Sequence, residues 1–334
     1  MKQIEYKKNI YNEEDSGKAY LFTLIIPIVF GLIVSIVLNL IGSAFGLKAF
    51  SDSPALYSIY LVLVNGCLLG IYFLYNKFGK VNFKKASLLS FKLGRKNILF
   101  SILIALITLF GSLYLINYLM DLMSKIGYNP DSSLPLPLTN GGWLVLNIVV
   151  LAVIPAICEE FLYRGIIYNG LRKFGSVGAI FLSAIMFALA HGSAMQFFYQ
   201  FILGLVLAAI VYKTGSIVAS MIAHFVNNAT VVIYNYIEIN TGVSIQAGFT
   251  PLVIGISFLV AMVAGVLIWL LLKFMKDKTK KEKLGEELEK TQNQAYNETY
   301  VKGEKKFSSK SSVLFFALSL AVAVALWAIG TFAG

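Results

Sequence analysis

The sequence predicts an all-α fold: a polytopic transmembrane helical bundle of about eight core spans plus a C-terminal ninth span. Three observations predict it. The 334 residues are 58% apolar and only 13% charged, with a mean hydropathy of +0.76, more than the surface of a soluble globular domain carries. Apolar runs recur along the chain at the length a span needs, about 20 residues plus a turn. The net charge of +11 is gathered between alternate runs, so it points to a lipid bilayer and away from nucleic acid.

The runs occupy 20–46, 56–76, 98–120, 143–170, 176–191, 195–212, 216–236, 251–272 and 313–333. With the amino terminus in the cytoplasm, alternation places on the inner side all but two of the 28 lysines and arginines, the exceptions being Lys48 and Lys125; the inverse orientation would reverse the bias. Residues 1–18 are a polar cytoplasmic segment, and the run after them is too long for a signal-peptide core, so it is an uncleaved span. Residues 19–142 hold the first three helices and an irregular outer loop, 124–142, with Pro130, Pro135, Pro137, Gly141 and Gly142. Residues 143–272 are the core that carries the polar groups. Residues 273–312 are a charged cytoplasmic linker with a short solvated helix expected over 286–290, and 313–334 is a ninth span tethered outside the main bundle. Cys67 and Cys158 both lie in apolar runs, which excludes a disulfide scaffold and a thiolate metal cluster.

An ionisable residue at mid-bilayer costs roughly 2.5–3.5 kcal/mol on insertion scales, and here such residues cluster. The fourth span carries Glu159, Glu160 and Arg164, the fifth ends at His191, and the seventh carries His224 followed by Asn227 and Asn228; the two histidines are the only ones in the chain. At a rise of about 1.5 Å per residue from the inner turns, Glu159 and Asn228 lie about 20 Å up, His191 about 24 Å and His224 about 14 Å. Glu160 and Arg164 are four apart in the order that favours a helical ion pair, with Glu159 turned about 100° away. Glu160 is therefore neutralised and Glu159 left free. Phe187 sits one turn before His191, and Pro155 frees a carbonyl one turn before the acids. Cys158 is a packing residue. Gln196, Tyr199 and Gln200 in the sixth span either line a cavity or cross-link helices.

A free carboxylate, two imidazoles and an amide supply the parts for adding water to an amide carbonyl. In one form no cofactor is used: Glu159 and a histidine take the proton of the water, and the other histidine and Asn228 bond the oxyanion. In the other, Glu159, His191 and His224 hold zinc or another divalent metal with a fourth position open. An HExxH pair is absent, and two histidines 33 apart in sequence are a weak metal signature, which weighs toward the first form.

The motifs Glu159-Glu160-Phe161-Leu162-Tyr163-Arg164, Phe187-Ala188-Leu189-Ala190-His191 and His224-Phe225-Val226-Asn227-Asn228 resemble the EExxxR, FxxxH and HxxxN of the CPBP (CAAX-processing and bacteriocin-processing) intramembrane proteases, also called Abi or Rce1-like proteins. Gly165, Gly204 and the Thr214-Gly215-Ser216 turn are similar too, and the resemblance spans 143–236. It implies an intramembrane endopeptidase in which Glu159 and His191 activate water, His224 and Asn228 form the oxyanion site, and Glu160 and Arg164 support them. It implies as substrate a membrane-associated protein or peptide, cut during maturation at a bacterial plasma membrane. Two other classes use similar parts: a transporter or proton-relay protein, against which the lack of an internal repeat counts, and a non-catalytic scaffold or immunity protein of the same fold.

Overall fold

The computed structural model describes residues 10–128, 136–243, 249–275 and 309–332. Eight of its helical stretches are long and apolar enough to cross a membrane, and every apolar run read from the sequence is helical. The chain is an integral, multi-pass membrane protein. The helix expected over 286–290 lies outside the described residues, as do Pro130 and Pro135 of the outer loop.

Helix α1 (Glu13–Ala44) begins earlier than the apolar run because its first turn is built to start a helix. The Asn12 side chain accepts the Asp15 N–H at 3.0 Å and the Asp15 carboxylate accepts the Asn12 N–H at 2.9 Å, a reciprocal cap. Glu13, Glu14 and Asp15 complement the helix dipole there. This polar turn, expected in a solvated segment, is buried: Glu13 pairs with Lys173, and the Ser16 hydroxyl donates to the Ile167 carbonyl at 2.8 Å. Helices α2 (Pro54–Phe78), the short α3 (Phe83–Ala86) and α4 (Arg95–Lys125) follow.

The next 49-residue apolar stretch, Gly141–Leu189, is too long for one span. It runs as α5 (Gly141–Asn147), a π-helical stretch (Ile148–Val153), α6 (Ile154–Leu162), a second π-helical stretch (Tyr163–Ile167), α7 (Tyr168–Leu171), a 3-10 turn at Arg172–Phe174 and α8 (Gly175–Leu189). It doubles back at Gly175, whose φ of +82° suits glycine. The Tyr163 and Phe187 rings meet at 5.0 Å, where a straight helix would hold them about 36 Å apart. The fourth and fifth runs are thus one helical hairpin. Helices α9 (Ala194–Thr214), α10 (Ile217–Thr241), α11 (Pro251–Phe274) and α12 (Lys310–Phe332) complete the bundle.

Two buried clusters hold these helices together. One joins Tyr20, Tyr72, Leu162, Ile166 and Phe187 on α1, α2 and the hairpin; the other joins Ile104, Leu203, Leu207 and Ala223 on α4, α9 and α10. The polar site lies where they adjoin, with α6 in one and α10 in the other. Outward-facing residues such as Leu40, Leu252 and Ile329 are apolar and exposed, as contact with acyl chains requires.

Helix α12 does not stand outside the bundle as the linker suggested. It packs along α1, with Phe316 and Ala323 buried in the first cluster. Small residues allow the approach: a Cβ on Gly17 would lie 2.8 Å from the Phe316 backbone nitrogen.

The α1–α7 junction is equally close, since a Cβ on Gly170 would lie 2.1 Å from the Ser16 hydroxyl and 2.2 Å from the Asn12 carbonyl. Gly170→Ala is expected to destabilise the folded protein by about 1–3 kcal/mol, read as a lower thermal midpoint in detergent.

Candidate active site

The site begins with a backbone defect. Pro155 has no N–H to give the Leu151 carbonyl one turn earlier, and that carbonyl accepts the side-chain amide of Asn228 from α10 at 3.2 Å. The carbonyl expected to be freed by Pro155 thereby sets the rotation of the Asn228 amide. Its oxygen faces the other way, accepting from the Asn227 amide at 3.1 Å, while the Asn227 oxygen accepts the Tyr199 hydroxyl from α9. One Asn228 N–H is committed to Leu151, which leaves the second to offer.

Glu160 is fully buried. Its Oε1 takes Arg164 Nη1 at 2.6 Å, the i,i+4 pair read from the spacing, and also His224 Nδ1 at 3.0 Å. The second partner was not legible in the sequence, because α10 is remote along the chain. Arg164 also donates through Nη2 to the Gly204 carbonyl at 3.3 Å, and its guanidinium lies over the Phe187 ring at 4.5 Å. One carboxylate and one guanidinium therefore tie α6, α9 and α10 together against the hairpin's second arm.

Phe187 is the common wall. Its ring meets His191 at 4.8 Å and His224 at 5.9 Å, both edge to face. His191 lies just past the end of α8, with its Nδ1 2.8 Å from the Phe187 carbonyl. A carbonyl only accepts, so the neutral ring carries its proton on Nδ1 and presents a lone pair at Nε2. The Glu160 carboxylate fixes His224 the same way, with Nε2 directed at Glu159 Oε2 at 3.9 Å. That Glu159 oxygen has no hydrogen-bond partner, and the side chain keeps 16% of its surface exposed. Glu159 is thus the acid left without a counter-ion, as the spacing implied.

The structure brings Glu159, Glu160, Arg164 and His224 into one cluster, with Asn228 one turn along α10 from His224 and His191 sharing its Phe187 wall. Glu159 and His191 are not directly hydrogen-bonded. The proposed metal triad of Glu159, His191 and His224 does not fit as placed: among the described residues, no three His, Cys, Asp or Glu side chains gather in a metal-holding group. Cys158 is buried, with its thiol against the Leu69 backbone on α2. Of the sixth-span residues, Tyr199 cross-links helices. That role is not legible in the sequence, because it comes from Asn227, distant in the chain and adjacent to a motif residue.

Removing one member of the buried ion pair exposes what it costs. Arg164→Met leaves Glu160 charged without its guanidinium and is expected to lower stability by about 3–5 kcal/mol, much of which Glu160→Gln with Arg164→Met recovers. Thermal unfolding of the two variants in the same detergent checks this; equal losses would show that the guanidinium matters only for packing.

Comparison with known proteins agrees with the geometry. Residues 141–230 match the family described as type II CAAX prenyl endopeptidase Rce1-like. No curated protein and no solved structure matches the chain. The matched stretch holds all three motifs, from the first turn of α5 to beyond Asn228, and it is in this membrane-embedded core that the chain is similar to the Rce1-like family.

Proposed function

We propose that the chain is an intramembrane endopeptidase that hydrolyses a peptide bond of a membrane-associated protein or peptide. One observation carries the reading: an unpartnered carboxylate, Glu159, faces the open nitrogen of an imidazole whose other nitrogen is fixed by a second, neutralised carboxylate. The family match supports the reaction class.

In this reading a water lies between Glu159 and His191 Nε2. Glu159 takes a proton as the water oxygen bonds to the scissile carbonyl carbon, a general-base step within reach of one hydrogen bond. The oxyanion is held by the free N–H of Asn228 and by His224. Because Nδ1 of His224 is committed to Glu160, its Nε2 carries a hydrogen only once a proton has been delivered to it. The proton on Glu159 crosses to that Nε2, and the imidazolium bonds the oxyanion and then gives its proton to the leaving amine as the C–N bond breaks. Arg164 keeps Glu160 ionised throughout. The amino terminus and the basic linker lie on the cytoplasmic side, as the distribution of lysines and arginines supports.

Glu159→Gln is expected to reduce cleavage by at least about 100-fold with the fold retained, seen by comparing membrane peptides from cells carrying wild-type and variant chains; normal cleavage would refute its role. Asn228→Ala is expected to lower kcat by about 100- to 1,000-fold. Purified enzyme stripped with a chelator and shown metal-free is expected to keep its activity, and loss restored by added zinc would replace this mechanism with a metal-dependent one.

A further inference from the structure

His191 is not part of a helix. Helix α8 ends at Leu189 and α9 starts at Ala194, so the imidazole rides on a short turn whose backbone decides where Nε2 points. The turn bends at Gly192, with φ +64°; His191 N–H bonds Ala188 at 3.2 Å and Gly192 N–H bonds Leu189 at 3.1 Å, while the Ser193 carbonyl accepts the Phe197 N–H of α9 at 3.0 Å.

The groups that hold it from the other side come from outside the Rce1-like stretch. Just past α4, the Tyr128 hydroxyl bonds the Ser193 hydroxyl at 3.1 Å. Ser193 provides no side-chain cap for α9. Thr331, in the last turn of α12, supplies an acceptor instead, taking the Ala194 N–H on Oγ1 at 3.1 Å. Beside it, Gly330 lies so close that a Cβ would stand 2.0 Å from the Gly192 carbonyl oxygen, and the Trp327 ring meets Phe197 of α9 at 5.8 Å.

We propose that Thr331 and Gly330 are positioning residues for His191: the last turn of α12 fixes the turn that carries the imidazole and so aims its Nε2 into the site. The effect on hydrolysis rests on the peptidase reading above; the effect on the imidazole does not.

The chain's two histidines make the test direct. Full-length protein labelled with 13C,15N-histidine gives two imidazole signals, assigned with His191→Gln and His224→Gln. Thr331→Val, which keeps shape and removes the acceptor, is expected to move the His191 signal and leave that of His224 in place. Thr331→Ser, which keeps the hydroxyl, is expected to restore it. Gly330→Ala, which must push the Gly192 carbonyl, moves the same signal and carries the reading alone if Thr331→Val does not fold. In cleavage assays Thr331→Val is expected to lower kcat by about 10- to 100-fold with KM unchanged. A His191 signal unmoved in the folded variants overturns the proposal, and so does an equal shift of both histidines, which reports general loosening. The same spectra recorded in the Glu159→Gln background separate the two claims, since they report the imidazole whether or not the protein cleaves anything.

Discussion

A carboxylate with no exposed surface inside a membrane-spanning helix is tolerable only if its charge is answered on the spot, and the rest of this site follows from how Glu160 is answered. A single oxygen takes both the Arg164 guanidinium and a nitrogen of His224. That sharing locks α6 to α10, and the remaining arm of Arg164 reaches the Gly204 carbonyl on α9. Because the cluster's guanidinium is bound to Glu160, the neighbouring Glu159 is left without a counter-charge. The adjacency of the two acids divides them into one that is paired inside the bundle and one that is not.

The second device is backbone chemistry turned to orientation. Proline removes a hydrogen bond that a helix would otherwise make, and an asparagine amide from a neighbouring helix takes its place. A side-chain amide has two ends that differ chemically, and the chain from Tyr199 through Asn227 to Asn228 settles which end faces which way. An amide so fixed needs no reorganisation when charge develops beside it, the condition under which such donors contribute most.

Much of this could be read in the sequence. The spans followed from apolar length, the Glu160–Arg164 pair and the Phe187–His191 contact from one-turn spacing, and the freed Leu151 carbonyl from Pro155. What could not be read depended on residues distant in the chain. Rise counted from the inner turns set His224 lower than Glu159, so its bond to Glu160 was hidden until α6 and α10 were placed side by side. The polar turn at 13–18 looked solvated because its partner Lys173 lies across the fold. Helix α12 looked separate because small residues such as Gly17 and Ala323 read alike whether they meet lipid or another helix.

The two π-helical stretches flank the helix that carries both acids, and each is a place where the helix is wider than its neighbours. A π turn takes up one residue more than an ordinary helical turn over about the same rotation. Deleting one residue beyond Arg164 would let an ordinary turn close there while the acids, their arginine and the approach of Gly170 to Asn12 and Ser16 keep their places, whereas the same deletion in a regular helix would turn everything that follows by about 100°. The wide turn is therefore the one point in this arm where the chain can lose a residue without undoing the docking of the first helix.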